Sequence, residues 1–256
     1  MNTSDNIVMT ITPEIIKNRV IQFAGELCER GEFHKFASEN DLTFIKTKFD
    51  EFLRDDIINQ IVQAIQEDYE GEDSEGDQEI QEDGGSGIIS IFFNYQRVQV
   101  KNRVIQLARE LCENGEFKKF AYENYLSFTA SKLDEFLKDY TIEQMVDKIQ
   151  KEFQVYECDK LLGDYIITVF FEYRRTQIKN RLIQTLATLC HMGVFQNIAF
   201  EHNLNFNKSK LDEFIRNNLN EMVKAIEMEK DSLYEEEDGK LLKEYLMSVC
   251  VENTMM

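Results

Sequence analysis

One six-residue stretch, Lys-Asn-Arg-[Val/Leu]-Ile-Gln, occurs three times, at residues 17–22, 101–106 and 179–184. The likeness continues downstream of each copy. Cys28, Cys112 and Cys190 stand in register, as do Gly31, Gly115 and Gly193. So do Asp50-Glu51-Phe52, Asp134-Glu135-Phe136 and Asp212-Glu213-Phe214. Self-similarity at a fixed spacing marks an array of related modules, and it outranks any single motif. The copies lie 84 and then 78 residues apart, and the extra residues of the first interval fall in an acidic stretch. Lengthening a charged loop leaves a packed body intact, which supports this division.

Each copy has the same internal order. A β-branched, aromatic run comes first: Ile7–Thr12, Ile88–Phe93 and Tyr165–Phe171, with a fourth run, Tyr245–Val251, closing the chain. Composition and flanking turn residues predict strands here. The competing reading joins each run to the helix after it, because neither Gly nor Pro separates Phe93 from Val104. The density of Ile and Val favours strands.

A helix follows in each copy, with Val104, Ile105, Leu107, Ala108, Leu111 and Cys112 on one apolar face. Gly31, Gly115 and Gly193 stand where a left-handed helix-ending residue is wanted. A second, short helix carries Phe117, Phe120 and Ala121, matched by Phe33, Phe36, Ala37 and by Phe195, Ile198, Ala199. The third contains the Asp-Glu-Phe repeat. The fourth places Ile58, Ile61, Val62 and Ile65 in register with Ile142, Met145, Val146 and Ile149. Leu219, Met222, Val223 and Ile226 fill the same role one residue out of step.

The predicted fold class is therefore α+β, predominantly helical. It consists of three tandem repeats of about 80 residues, each a strand followed by three to four helices, with a closing C-terminal strand. The units expected are 5–83, 86–163 and 164–251, the four strands suiting one shared sheet.

Composition narrows the functional classes. A hydrophobic share of 43% with 19 Phe and 10 Tyr is ample for packed cores. Five cysteines are an odd number, and three of them are repeat equivalents on an apolar helix face, which argues for a reducing compartment rather than a disulfide framework. No basic, then apolar leader opens the sequence and no apolar run is long enough to span a bilayer, so a cytoplasmic protein is expected.

The formal net charge is −19, and most of it sits in two places. Residues 67–83 hold ten acidic and no basic residues, and residues 227–238 hold seven acidic residues against Lys230. Such blocks serve as solvated loops or interaction tails. Candidate partner-binding residues are thus Glu70, Glu72, Asp73, Glu75, Asp77 and Glu79 of the first loop. The alternate spacing of Asp73, Glu75 and Asp77 lacks the glycine and terminal Glu of a calcium loop.

The repeated basic clusters, Lys17 and Arg19, Lys101 and Arg103, Lys179 and Arg181, are the second set of candidates. They suit phosphate or an acidic partner, or else pairing with the repeated Asp-Glu of the third helix or simply facing water. Adjacent acids such as Asp134 and Glu135 point about 100° apart on a helix, which fits salt bridging better than metal binding. Phe117–Ala121, a turn near Leu126-Ser127 and Ser131–Lys138 resemble a helix-turn-helix. The would-be reading helix carries Asp-Glu in all three copies, however, and acids there repel phosphate, so direct nucleic-acid binding is not expected.

Gly84-Gly85-Ser86-Gly87 lacks a phosphate-loop lysine, and His34, His191 and His202 have no metal-ligand spacing to a cysteine pair. No catalysis, metal or cofactor is expected. The leading expectation is a non-enzymatic adaptor or regulator that binds another protein through a repeated helical surface and the acidic loops. The alternative is an acidic nucleic-acid mimic that inhibits a DNA- or RNA-binding protein, and the third a degenerate helix-turn-helix regulator.

Overall fold

The computed structural model describes residues 12–71, 84–152, 158–229 and 240–254. Among them lie twelve helices and no strand. They are α1 (Pro13–Glu29), α2 (Glu32–Glu39), α3 (Lys46–Phe52), α4 (Ile57–Gly71), α5 (Gly84–Glu113) and α6 (Glu116–Glu123). Then follow α7 (Ala130–Phe136), α8 (Thr141–Lys151), α9 (Asp159–His191), α10 (Val194–Glu201), α11 (Lys208–Glu229) and α12 (Lys240–Thr254).

The α+β expectation is therefore corrected. The runs Ile88–Phe93 and Tyr165–Phe171 are the N-terminal parts of α5, 30 residues long, and α9, 33 residues long. Tyr245–Val251 lies within α12. Of the first run, Thr12 caps α1 and the remainder lies outside the described residues. The reason is periodicity. Ile88, Ile89, Phe92 and Phe93 are buried, as are Ile166, Ile167, Phe170 and Phe171. That is the i, i+1, i+4, i+5 stripe of a helix, whereas a strand buries every second residue. With no breaker before Val104, the helical stripe continues into the repeat's first helix.

These runs also serve a different core than the strand reading assigned. The Phe92 ring meets Phe33 at 5.3 Å, Phe44 at 5.6 Å, Phe49 at 5.6 Å and Phe52 at 5.5 Å, all from the preceding repeat. Phe93 stacks on Phe36 at 5.1 Å. Phe170 does the same for Phe117 (5.2 Å), Phe128 (5.6 Å) and Phe136 (5.5 Å). In the third repeat Leu242, Leu246 and Cys250 of α12 join the core of Leu182, Leu186, Leu189, Phe195, Leu211 and Met222. Each run closes the repeat before it.

The chain divides into two compact units. Unit 1 takes Met1–Arg103 with Glu143–Glu157, and unit 2 takes Val104–Ile142 with Cys158–Met256. In unit 1 the turn after α2 is held by α8: Thr43 donates its N–H to the Gln150 carbonyl (3.2 Å) and its hydroxyl to the Lys151 carbonyl (2.9 Å). Lys151 Nζ reaches Asp41 at 2.6 Å. Gln96, fully buried, donates to the Thr43 carbonyl from the other side.

Candidate protein-binding surface

The repeat's second helix shows how an aromatic face arises. α6 buries Phe117 and Ala121 with Phe120 half-buried, and α10 buries Phe195 and Ala199 with Ile198 half-buried. Each helix thus satisfies its core with an i, i+3, i+4 stripe. One residue further on, turned about 100° to the polar side, stand Tyr122 and Phe200. They are repeat equivalents, 85% and 86% exposed, where the first repeat has Ser38.

The turn after each of these helices adds a second feature. Asp41, Tyr125 and Asn203 adopt φ of 55°, 55° and 53°. Leu42, Leu126 and Leu204 then donate to the carbonyls of Ala37, Ala121 and Ala199, each at 2.8 Å. Tyr125 and Asn203 also donate to Tyr122 and Phe200 at 3.3 Å. These are the two bonds of a Schellman cap, with its left-handed residue supplied by a non-glycine. Tyrosine is a costly choice there, because a bulky side chain at positive φ crowds its own backbone. The ring of Tyr125 is exposed nonetheless. Gly31, Gly115 and Gly193 take the left-handed position expected of them, with φ of 77°, 77° and 67°.

Exposed apolar surface is unevenly shared. Among the described residues Tyr122, Tyr125, Tyr140, Leu161, Ile183, Met192, Phe200, Leu204, Met228 and Leu241 stand out from unit 2. Among the described residues of unit 1, only Ile15 and Val98 do so. Tyrosine, phenylalanine and methionine are the residues that protein interfaces favour.

The charged candidates behave differently. Glu72, Asp73, Glu75, Asp77 and Glu79 lie outside the described residues, and of Glu70 only the backbone, within α4, is described. Arg19 and Lys179 are exposed, whereas Lys17, Arg103 and Arg181 are half-buried. Lys101 is bound into the fold: with Arg97 it holds Glu143, the Arg97 contact measuring 2.6 Å, and Arg97 also meets Asp147. The hydrogen bond from Lys101, and then that from Arg97, holds the Glu143 carboxyl below the usual carboxylate range.

In the first two repeats acids of the Asp-Glu pair find lysines of their own helix instead. Lys46 meets Asp50 at 2.8 Å, Lys48 meets Glu51 at 2.7 Å and Lys132 meets Glu135 at 2.9 Å. Asp134 and Glu135 are exposed on α7. Among the described residues no group of three or more His, Cys, Asp or Glu is placed to hold a metal ion.

Two features escape a reading of composition. Glu227, within the second acidic stretch, is buried at the end of α11 and pairs with Arg175 at 3.1 Å. Its helix-period spacing from Val223 and Ile226 is the signal that marks it as part of the packed body. Tyr122 and Phe200 were equally legible as aromatics beside, not on, the apolar stripe. All five cysteines are free thiols, Cys28, Cys112 and Cys190 half-buried, Cys250 buried and Cys158 exposed.

No protein-family model, curated protein or solved structure matches the chain. No helix among the described residues is long and apolar enough to cross a membrane.

Proposed function

We propose that the chain works by binding another protein through exposed aromatic side chains of unit 2, with Tyr122, Tyr125 and Phe200 as its anchors. The observation that carries this reading is the pair Tyr122 and Phe200, held at equivalent places on α6 and α10 and almost wholly in water. A large ring on the polar side of a helix adds nothing to the core, and such side chains become binding hot spots once a partner desolvates them. Tyr125 points the same way, since a strained backbone is retained where its side chain has a task. A protein partner suits unit 2 better than nucleic acid does, because α7 carries Asp134 and Glu135 exposed, and acids repel phosphate. The five free thiols support a reducing compartment, the cytoplasm.

The test is affinity purification with mass spectrometry on three proteins: the wild type, the double variant Tyr122→Ala/Phe200→Ala, and a deletion of residues 70–83. A partner retained by the deletion and lost by the double variant is expected, with affinity down on the order of tenfold or more per ring removed. A partner lost only by the deletion would move recognition to the acidic stretch.

A further inference from the structure

The second helix of the repeat keeps a residue that its own fold does not explain. Across the three copies, α2, α6 and α10, three of the eight positions hold the same residue each time. Two of them are core: Phe33, Phe117 and Phe195, then Ala37, Ala121 and Ala199, all buried. The third is the last of the helix, Glu39, Glu123 and Glu201, and it is exposed in every copy. Burial accounts for the first two positions and not for the third.

Electrostatics within the fold does not account for it either. A carboxylate in the last turn of a helix meets the negative end of the helix dipole, at a cost of about 0.3–1 kcal/mol. No basic residue shares that turn in any copy. Among the described residues none of the three carboxylates has an ion pair or a hydrogen bond. In α6 and α10 the carboxylate directly follows an exposed ring, as Tyr122-Glu123 and Phe200-Glu201. Consecutive helical residues point about 100° apart, so ring and carboxylate offer a partner two adjacent contacts of different chemistry.

We infer that the partner segment is basic and apolar, Arg or Lys alternating with apolar side chains, its apolar groups laid on Tyr122 and Phe200 and its cations on Glu123 and Glu201. The inference rests on the protein-binding reading above and names the partner's chemistry. Charge complementarity selects this occupant. A net charge of −19 draws a basic partner toward the chain and slows an acidic one. Asp134 of α7, with Asp212 and Glu213 of α11, adds exposed acids to unit 2. The first repeat shows the equivalent region taking a cation, since Lys151 meets Asp41, two residues beyond Glu39. Tyr125 and Asn203 stand in place of Asp41 in the other repeats. Lys118 and Lys119 lie one turn before Tyr122, whereas Gln196 and Asn197 lie one turn before Phe200. The third repeat is therefore the stronger cation site of the two.

Fluorescence anisotropy of the intact chain tests this with three labelled peptides of equal length, in which Leu alternates with Arg, with Gln or with Glu. The Leu-Arg peptide should bind on the order of tenfold more tightly than the Leu-Gln peptide, and the Leu-Glu peptide should not bind. Glu201→Gln should weaken the Leu-Arg peptide by about fivefold at low salt, more than Glu123→Gln does, and the difference should fade at high salt. Both positions are exposed, so the variants keep their fold. The Glu201 effect should persist when residues 70–83 are deleted, which separates it from attraction to the acidic stretch. A Leu-Arg peptide that binds no better than Leu-Gln overturns the inference, and so does an affinity indifferent to Glu201→Gln. If the purification described above still yields a partner that needs Tyr122 and Phe200, the aromatic reading outlives that failure. If the double ring variant changes nothing there either, both fall.

Discussion

Val98→Pro separates the long-helix structure from its strand-and-loop rival. Val98 lies near the midpoint of α5 and is 52% exposed, so its side chain contributes little to either core. In a continuous helix its N–H bonds the carbonyl of Asn94. Proline removes that bond and drives its ring into the same carbonyl, which costs about 3 kcal/mol or more. Val98→Ala is the control, since it trims the same side chain and slightly favours helix. The two variants should therefore differ by about 3 kcal/mol in urea unfolding followed by helical circular dichroism, roughly two orders of magnitude in the folding constant. Were residues 88–93 a strand, position 98 would fall in the connection or first turn before the Lys101 helix. Proline is tolerated at a helix start, because the missing N–H has no intrahelical partner there. A difference below about 1 kcal/mol would refute the continuous helix.

Other expectations follow from particular contacts. Phe92→Ala should cost about 3–5 kcal/mol, and hydrogen exchange should show protection lost first in α1 to α4, the repeat whose core Phe92 enters. Tyr125→Gly should raise stability by about 1 kcal/mol in thermal unfolding, by relieving the positive φ, while weakening partner binding. Burial pushes the Cys250 thiol up to about 12, so a thiol reagent near neutrality should label exposed Cys158 at once and reach Cys250 only after unfolding. Glu143 has its folded pKa lowered, so its stabilising effect is full above the unfolded carboxyl value of about 4.3 and fades as pH falls through the folded value. Glu143→Gln should therefore be less stable than wild type at pH 7, by about 1 kcal/mol, and indistinguishable from it in acid, as pH-dependent urea titrations would show.

How far the sequence carried is clearest in the Ile88–Phe93 run. Its composition is that of a strand, because Ile and Phe serve any buried element, and composition reports burial before it reports shape. The spacing held the answer. Ile88, Ile89, Phe92 and Phe93 leave Ser90 and Asn94 to the outside, which a period of two cannot do. The repeat itself hid this, since aligning copies on Lys-Asn-Arg invites a boundary ahead of each run, and a boundary ahead of a hydrophobic run suggests a new element. The dependence of each module on a neighbouring run was legible; which neighbour it served was not, because Phe92 meets Phe33 across more than half the chain's repeat length and no local pattern encodes such a partner.

The site divides along the same physical line. Charged candidates stood out in the sequence because charge is conspicuous, yet Lys101 is taken up by Glu143, and Glu227 of an acidic stretch is buried against Arg175. Solvated charge and structural charge look alike until burial is known. By count Tyr122 and Phe200 do not stand out, because one aromatic more in a chain with 19 Phe and 10 Tyr is unremarkable. Their meaning lies in register: each follows the last buried residue of its helix, in the one direction the core does not need. Internal repeats supply the comparison that makes this visible. Where Ser38 occupies the position, the first repeat packs the same helix without a ring, so the packing of that helix does not require one.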